Sequence, residues 1–261
     1  MCRVLPPLVV VLLAASPAPA ALEISKVEAC YGRLGPVRKS LDIYAYDEIG
    51  FRFTVTGARS DDEGRADVEV AYTVLDDRGK EVTSKRVASL KGPLTFGTDS
   101  FPGYVSLWLT EPPGEYTLKV TVKDNVAAAE TGFERKLHLK ETEFAIVSPQ
   151  FFHDATHAVA APAGGVVGQQ LHFRLLVIGF DRSAGKLDEE LVVRVFDKDK
   201  KELTPKPLRM TAEKTDEKVV KELPAIDFSG WVMLTKAGEF TLRITVTDIN
   251  TKKTATWEAP L

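Results

Sequence analysis

The chain has 261 residues, which suits one large domain or two domains of about 120 residues each. Hydrophobic residues make up 44% and charged residues 27% of the sequence, a composition that supports packed cores and excludes a disordered chain. The formal net charge of −3 is not that of a basic protein, and no basic cluster stands out, so no nucleic-acid partner is expected.

The first twenty residues have the features of a secretory signal peptide. Arg3 precedes an apolar run from Leu8 to Ala15, and Ala18-Pro19-Ala20 then forms the small-x-small pattern that signal peptidase requires. We therefore predict cleavage near Ala20 and a mature chain that is secreted or held in the periplasm or cell envelope. The run is too short to cross a bilayer, and no later stretch reaches about eighteen apolar residues, so no membrane span is expected.

Cleavage would leave Cys30 as the single cysteine of the mature chain. It would also remove one of the 34 Lys and Arg, leaving 33 against 37 Asp and Glu, a net charge of −4. An intramolecular disulfide is then excluded, so packing alone must stabilise the fold. A buried free thiol is favoured for Cys30. Pairing between chains and lipidation stay open, although Glu28 does not suit a lipidation motif.

A first candidate binding surface lies at 41–48, LDIYAYDE. Read as a strand, this segment places Asp42, Tyr44 and Tyr46 on one polar face, with apolar residues on the other. Two exposed tyrosines would offer a platform on which a sugar or a protein partner stacks. The alternative is that they pack against a loop.

Alternation of apolar and polar residues predicts strands in DVEVAYTVL (67–75) and YTLKVTV (116–122), and YVSLWLT (104–110) is typical of a central strand. The inward faces of the first two are expected to hold Val68, Val70, Tyr72, Val74, Tyr116, Leu118, Val120 and Val122. The three tryptophans, Trp108, Trp231 and Trp257, fall in predicted strands and are expected in the core.

The second half of the sequence repeats the first. FRFTVTG (51–57) matches FRLLVIG at an offset of 122, VLDDRGKEVT (74–83) matches VFDKDKKELT at 121, and GEYTLKVTVKDN (114–125) matches GEFTLRITVTDIN at 124. Blocks in the same order at nearly constant offset predict two homologous domains, 21–142 and 143–261. About seven short strands in each predict an antiparallel two-sheet sandwich, so the fold class is all-β.

The phrase Gly-Glu-aromatic-Thr-Leu, followed by alternating strand residues and Asp, occurs at 114–124 and 238–248. It resembles the late strands of bacterial immunoglobulin-like and fibronectin-III-like modules. The resemblance implies two tandem immunoglobulin-like sandwiches and a role in binding, spacing or display. The chain departs from antibody domains, since it lacks their paired cysteines and the tryptophan packed on them.

The segment between the predicted domains, LHLKETEFAIV (137–147), contains no Gly, Pro or Ser. Flexible linkers are rich in those residues. We therefore expect a strand of the first domain to pass almost directly into the first strand of the second, giving a semi-rigid rod.

Two further segments carry groups that bind metals. His153 and His157, with Asp154 between them, would face one metal ion if the segment FFHDATH were helical. A solvated loop is the favoured alternative. The acidic loops SDDEGRAD (60–67) and DRSAGKLDEE (181–190) resemble calcium-binding loops only loosely, and solvated hairpin loops are favoured there too.

No nucleophile elbow, HExxH motif or phosphate-binding glycine loop is present in the sequence, so an enzyme is not expected and no cofactor is predicted. The leading hypothesis is an exported, non-catalytic protein for adhesion, scaffolding or partner recognition, with an unknown protein or glycan partner at the cell surface. A carbohydrate- or small-ligand-binding module that uses Tyr44 and Tyr46 is one alternative. A metal-binding protein or hydrolase that uses His153 and His157 is the other.

Overall fold

A computed structural model describes residues 21–93, 100–183, 185–204 and 206–261. The predicted signal peptide, 1–20, lies outside the described residues. The regular secondary structure of the described residues is almost entirely β-strand, with one short helix, as the all-β prediction requires. The first strands are β1 (Glu23–Cys30), β2 (Asp42–Ile43), β3 (Ile49–Thr56), β4 (Arg65–Leu75), β5 (Glu81–Pro93), β6 (Phe101–Leu107), β7 (Gly114–Asp124) and β8 (Ala129–Leu139). They are followed by β9 (Ala145–Phe152), β10 (Gln170–Ile178), β11 (Leu187–Asp197), β12 (Leu208–Lys214), α1 (Glu217–Glu222), β13 (Ile226–Met233), β14 (Phe240–Asp248) and β15 (Thr254–Pro260).

Strands β1 to β8 form two sheets, which we call the first sheet pair. Their strand orders are β1-β3-β6 and β2-β8-β7-β4-β5, and every pairing is antiparallel except β2 with β8. The predicted alternation is confirmed: all eight side chains expected on the inward faces of β4 and β7 are buried in one hydrophobic cluster. Period-two patterning therefore determines which face of each strand is buried.

Strands β9 to β15 form two more sheets, the second sheet pair. Their orders are β13-β10-β9 and β12-β11-β14-β15, with antiparallel pairing throughout. Phe151, Phe173, Leu242 and Trp257 belong to the cluster buried between them. Within the described ranges, no helix has the length and apolar character needed to cross a bilayer.

Each sheet pair buries an aspartate at the end of an inner strand. Asp124 at the end of β7 accepts a hydrogen bond from the backbone N–H of Arg59 at 2.8 Å, and Asp248 at the end of β14 accepts one from Asp181 at 3.0 Å. Both carboxylates are almost fully buried. The loop N–H groups thereby supply hydrogen bonds to carboxylates that would otherwise be buried without them.

The two sheet pairs are closely connected, as the sequence predicts. Five residues, 140–144, separate β8 from β9. Beside this connection, Ala145, Val147 and Ile178 form a third small cluster, against which Tyr44 packs from the first sheet pair. Gly179 follows β10 with φ +67, and a β-carbon there would lie 2.2 Å from the carbonyl oxygen of Glu143, so only glycine fits this close approach.

Three sequence predictions about aromatic segments are wrong. The strand predicted across 41–48 ends at Ile43, and the predicted central strand at 104–110 is the edge strand β6, which ends at Leu107. Trp108 lies just beyond that end and is 63% exposed, whereas Trp231 points outward from β13 and is 48% exposed. Only Trp257 lies in the core. Apolar character places these residues in or next to strands, but position at a strand end or on an outer face decides their burial.

Cys30 ends β1 as a fully buried free thiol. Burial raises the pKa of this thiol above its ordinary value, and the nearby Arg52 only partly offsets that effect. A buried protonated thiol behaves as a small apolar side chain.

Candidate functional site

The three residues of the predicted platform, Asp42, Tyr44 and Tyr46, have different surroundings in the structure. Tyr44 is half-buried, and its hydroxyl donates a hydrogen bond to Glu143 and accepts one from Lys140 at 2.8 Å. The carboxylate of Asp42 lies 3.5 Å from His138 Nδ1. Tyr46 alone is left as an exposed ring, with 41% of its surface accessible.

Tyr44 joins the two sheet pairs. Lys140 Nζ lies 4.9 Å from the centre of its ring and also pairs with Glu143 at 2.9 Å. Burial, reinforced by the hydrogen bond to Glu143, raises the pKa of Tyr44, and the bonds to Tyr44 and Glu143 raise that of Lys140. The hydroxyl is therefore held in a charged network beside the connection and is not free for a ligand.

The histidine segment is a turn and not a helix. Asp154 accepts backbone hydrogen bonds from Thr156, Ala158 and Val159, and the hydroxyl bond from Thr156 is the main reason why its pKa lies well below the ordinary range. His153 Nδ1 lies 3.0 Å from Gln169 Nε2. The described residues contain no group of three or more His, Cys, Asp or Glu side chains placed to hold a metal ion. The metal hypothesis for His153, Asp154 and His157 stays a prediction.

The structure brings Tyr46 and His157 together in a cleft of about 400 Å³ where the two sheet pairs meet, which we call the junction cleft. The first sheet pair contributes Tyr46, Glu48 and Trp108, and the second contributes Ser148, Gln150 and His157. Phe152 and residues 174–176 complete the wall. Tyr46 and His157 belong to two unrelated sequence predictions. They thus line the same cleft as Trp108, which the sequence predicts in the core.

Ser148 fixes the two walls of the junction cleft to each other. Its N–H donates to Asp47 Oδ1 at 3.1 Å, its hydroxyl donates to the carbonyl of Tyr46 at 2.9 Å, and that hydroxyl accepts the N–H of Glu48 at 2.6 Å. Gln150 Nε2 adds a bond to Glu48 Oε2 at 2.8 Å. Four hydrogen bonds therefore hold the turn that carries Tyr46 against β9.

Backbone strain is concentrated at this site. Seven non-glycine residues of the described chain have positive φ, and three of them line the cleft: Tyr46 at 66°, Ser148 at 50° and His157 at 58°. Ser148 lies where the pairing of β9 with β10 shifts register. Such conformations persist only where surrounding contacts enforce them, and they cluster at functional sites.

A buried ion pair supports the wall from behind. Arg38 donates to Asp47, the same carboxylate that accepts the N–H of Ser148, and both charged side chains are almost fully buried. The guanidinium stacks on Tyr31 at 5.0 Å, and Tyr31 contacts Trp257 of the second core edge-on at 5.9 Å. The position of Asp47, and with it the Tyr46 turn, is set by packing that spans both sheet pairs.

The cleft combines exposed aromatic faces with few charges. The centres of the Phe152 and His157 rings lie 5.0 Å apart, and Tyr46 and Trp108 are the exposed aromatic residues of the cleft lining. Glu48 is the single carboxylate in the lining, and Arg174 is neutralised by Asp227 through bonds of 2.9 and 3.1 Å. Such a surface can stack on a ligand and accept its hydrogen bonds.

Sequence reasoning selected Tyr46 and His157 for reasons that the structure does not support, and it missed the other lining residues. One local signal was available for Ser148. Pro149 follows it within β9, and a proline inside a strand indicates a bulge or an edge. No local signal distinguishes Glu48, Gln150 or Trp108, because their proximity depends on how the sheet pairs meet.

No protein-family model and no curated protein matches this chain. Among solved structures, a calcium-binding mutant of Bacteroides uniformis β-glucuronidase 2 aligns with 84% of the chain at 13% identity and a TM-score of 0.39. The C-terminal domain of the Streptococcus pyogenes antigen I/II-family protein AspA aligns with 92% at 11% identity and a TM-score of 0.31. Red sea bream transglutaminase aligns with 94% at 8% identity and a TM-score of 0.28.

The chain spans 27% of the glucuronidase, 31% of the transglutaminase and 99% of the AspA domain. At these identities a similarity concerns the fold alone and says nothing about function.

Proposed function

We propose that this chain is an exported, non-catalytic binding protein that recognises a partner at the cell envelope or outside the cell. In this proposal two immunoglobulin-like sandwiches, residues 21–142 and 143–261, hold the junction cleft between them. The observation that carries the proposal is the cleft itself, with Trp108 63% exposed beside the strained residues Tyr46 and His157.

Export rests on the predicted signal peptide and its cleavage near Ala20. The duplication is supported by the sequence blocks and by the equivalent hydrogen bonds of Asp124 and Asp248, each to a loop N–H that precedes the next strand. Where two copies of a module meet, side chains from both copies can line one site that neither copy forms alone.

Exposed aromatic residues in a concave surface support recognition. A large apolar side chain left in contact with water contributes little to folding, whereas the same ring contributes strongly when a partner covers it. Trp108 lies next to polar groups that are already oriented by hydrogen bonds, so little conformational freedom remains to be lost on binding.

The test is binding of the purified mature chain to envelope preparations from cells that produce it, measured by co-sedimentation. We expect wild-type protein to sediment with the envelope and Trp108→Ala to lose most of that binding. Trp231→Ala is the matched control, because Trp231 is an exposed tryptophan on β13 that does not line the cleft. Equal sedimentation of all three proteins, or none for wild type, would contradict the proposal.

A further inference from the structure

We infer that the ligand of the junction cleft is a short neutral oligosaccharide, an inference that rests on the proposed function and narrows it to one ligand class. Three properties of the lining lead to it: the exposed ring faces, the hydrogen-bond acceptors of Glu48 and Gln150, and the balance of charge.

The rings provide stacking surfaces from two sides. Trp108 and Tyr46 belong to the first sheet pair, and His157, in contact with Phe152, belongs to the second. A sugar ring presents a face of C–H groups bordered by hydroxyls, which suits an amphipathic aromatic side chain that is apolar on its face and polar at its tip. The volume of about 400 Å³ lies within the usual range for small-ligand sites.

The polar groups of the cleft favour a ligand that donates hydrogen bonds. The carboxylate of Glu48 uses one oxygen to accept from Gln150 Nε2 and, being ionised, can accept further bonds. Gln150 has thereby committed an N–H, and its carbonyl oxygen is an acceptor as well. Sugar hydroxyls donate to such groups. A proline-rich peptide, the other ligand that aromatic grooves commonly bind, offers carbonyl acceptors and few donors, so it fits this lining less well.

The charges favour a neutral ligand over an acidic one. Glu48 is negative, and the guanidinium of Arg174 is already paired with Asp227. Phosphate, sulfate or uronate groups would meet the Glu48 carboxylate without a free cation from the lining to balance them. Neutral sugars meet no such repulsion.

The cleft is preorganised for ligand binding. Ser148 and the buried Arg38–Asp47 pair hold the Tyr46 turn, so binding does not have to order it. Preorganisation is important for sugar binding because each hydrogen bond to a sugar hydroxyl replaces a hydrogen bond to water. The net contribution of each such bond to affinity is therefore small.

The experiment has two arms. In the first, the mature protein is titrated with neutral oligosaccharides of glucose, galactose, mannose and N-acetylglucosamine, and with uronate and sulfated oligosaccharides, by calorimetry. We expect binding to at least one neutral sugar, a loss of affinity of about tenfold or more in Trp108→Ala and a smaller loss in Glu48→Gln. Trp231→Ala should bind within about twofold of wild type, and circular dichroism verifies that each variant is folded.

The second arm separates this inference from the proposed function. Envelope preparations are treated with periodate, which cleaves vicinal diols of sugars, or with protease, before co-sedimentation. Loss of Trp108-dependent sedimentation after periodate supports the inference. If protease abolishes it and periodate does not, the partner is a protein, and the carbohydrate inference is overturned while the proposed function stands. Preference for uronate or sulfated sugars in the first arm would also overturn it.

Discussion

Glu189 is a carboxyl group inside the second sheet pair, and we expect its titration to control stability between acidic and mildly alkaline pH. The residue is 1% exposed, and its Oε2 has no hydrogen-bond partner among the described atoms. It lies opposite Asp248 in the β11–β14 ladder. Burial, with smaller contributions from Asp248 and Asp188, raises the pKa of Glu189 from 4.5 to about 8.

The sign of the effect follows from proton binding. Between pH 4.5 and about 8, folded protein keeps the proton on Glu189 while the unfolded chain releases it. Because the folded state binds more protons, the free energy of unfolding falls as pH rises through this interval, and below pH 4.5 the contribution is fully present. At about 1.4 kcal/mol per pH unit, the loss has an upper limit of about 5 kcal/mol.

The assay is urea unfolding near pH 5 and near pH 9, followed by circular dichroism. Glu189→Gln replaces the carboxyl with a neutral group of similar shape, so it should keep its stability where wild type loses several kcal/mol. Glu190→Gln is the matched control, since the adjacent carboxylate lies on the opposite face of β11 and pairs with Arg209 at 2.7 Å. That variant should follow wild type across the pH range.

Two results would refute this reasoning. One is an equal loss of stability with pH in wild type and Glu189→Gln, because the loss would then come from other groups. The other is a large destabilisation of Glu189→Gln near pH 5, which would mean that the carboxyl makes bonds that glutamine cannot replace.

Three further substitutions test the junction and its close contacts. Asp47→Ala should lower the free energy of unfolding by about 3–5 kcal/mol, since it removes the carboxylate that pairs with the buried Arg38 charge. Adding Arg38→Met should restore part of the loss, and no restoration would contradict the assignment. Ser148→Ala should cost about 1–3 kcal/mol in thermal melts because the Glu48 N–H and Tyr46 carbonyl lose their hydroxyl partner. Gly179→Ala should destabilise clearly more than Gly79→Ala: both have φ near +70 to +80, but only at Gly179 would the added carbon meet a backbone oxygen, at 2.2 Å. Equal melting temperatures for these two variants would show that the contact relaxes freely.

The fold class was predictable because burial in a sandwich follows a local rule. Side chains alternate across a strand, so a period of two in β4 and β7 identifies their inward faces without knowledge of any partner strand. The same rule failed at Trp108, which lies one residue beyond the end of β6. The residue at which a strand ends depends on pairing with the neighbouring strand, and that strand lies far away in the sequence.

The candidate site could be predicted only in fragments. Tyr46 was selected as part of a strand that is not there, and His157 as part of a metal pair that lies in a turn. Neither prediction connected the two residues, which are more than one hundred positions apart, and neither included Ser148 or the buried carboxylate of Asp47 that position the turn.

The sequence by itself determined the alternating faces, the turns between strands and the short connection after β8, because each depends on neighbouring residues and on backbone geometry. Only the tertiary structure decided that Tyr46, Trp108 and His157 share one cleft, and that the buried Glu189 lies opposite Asp248. Those arrangements depend on register between strands and on contacts between the two sheet pairs, which join residues far apart in the chain and leave no periodic trace in it.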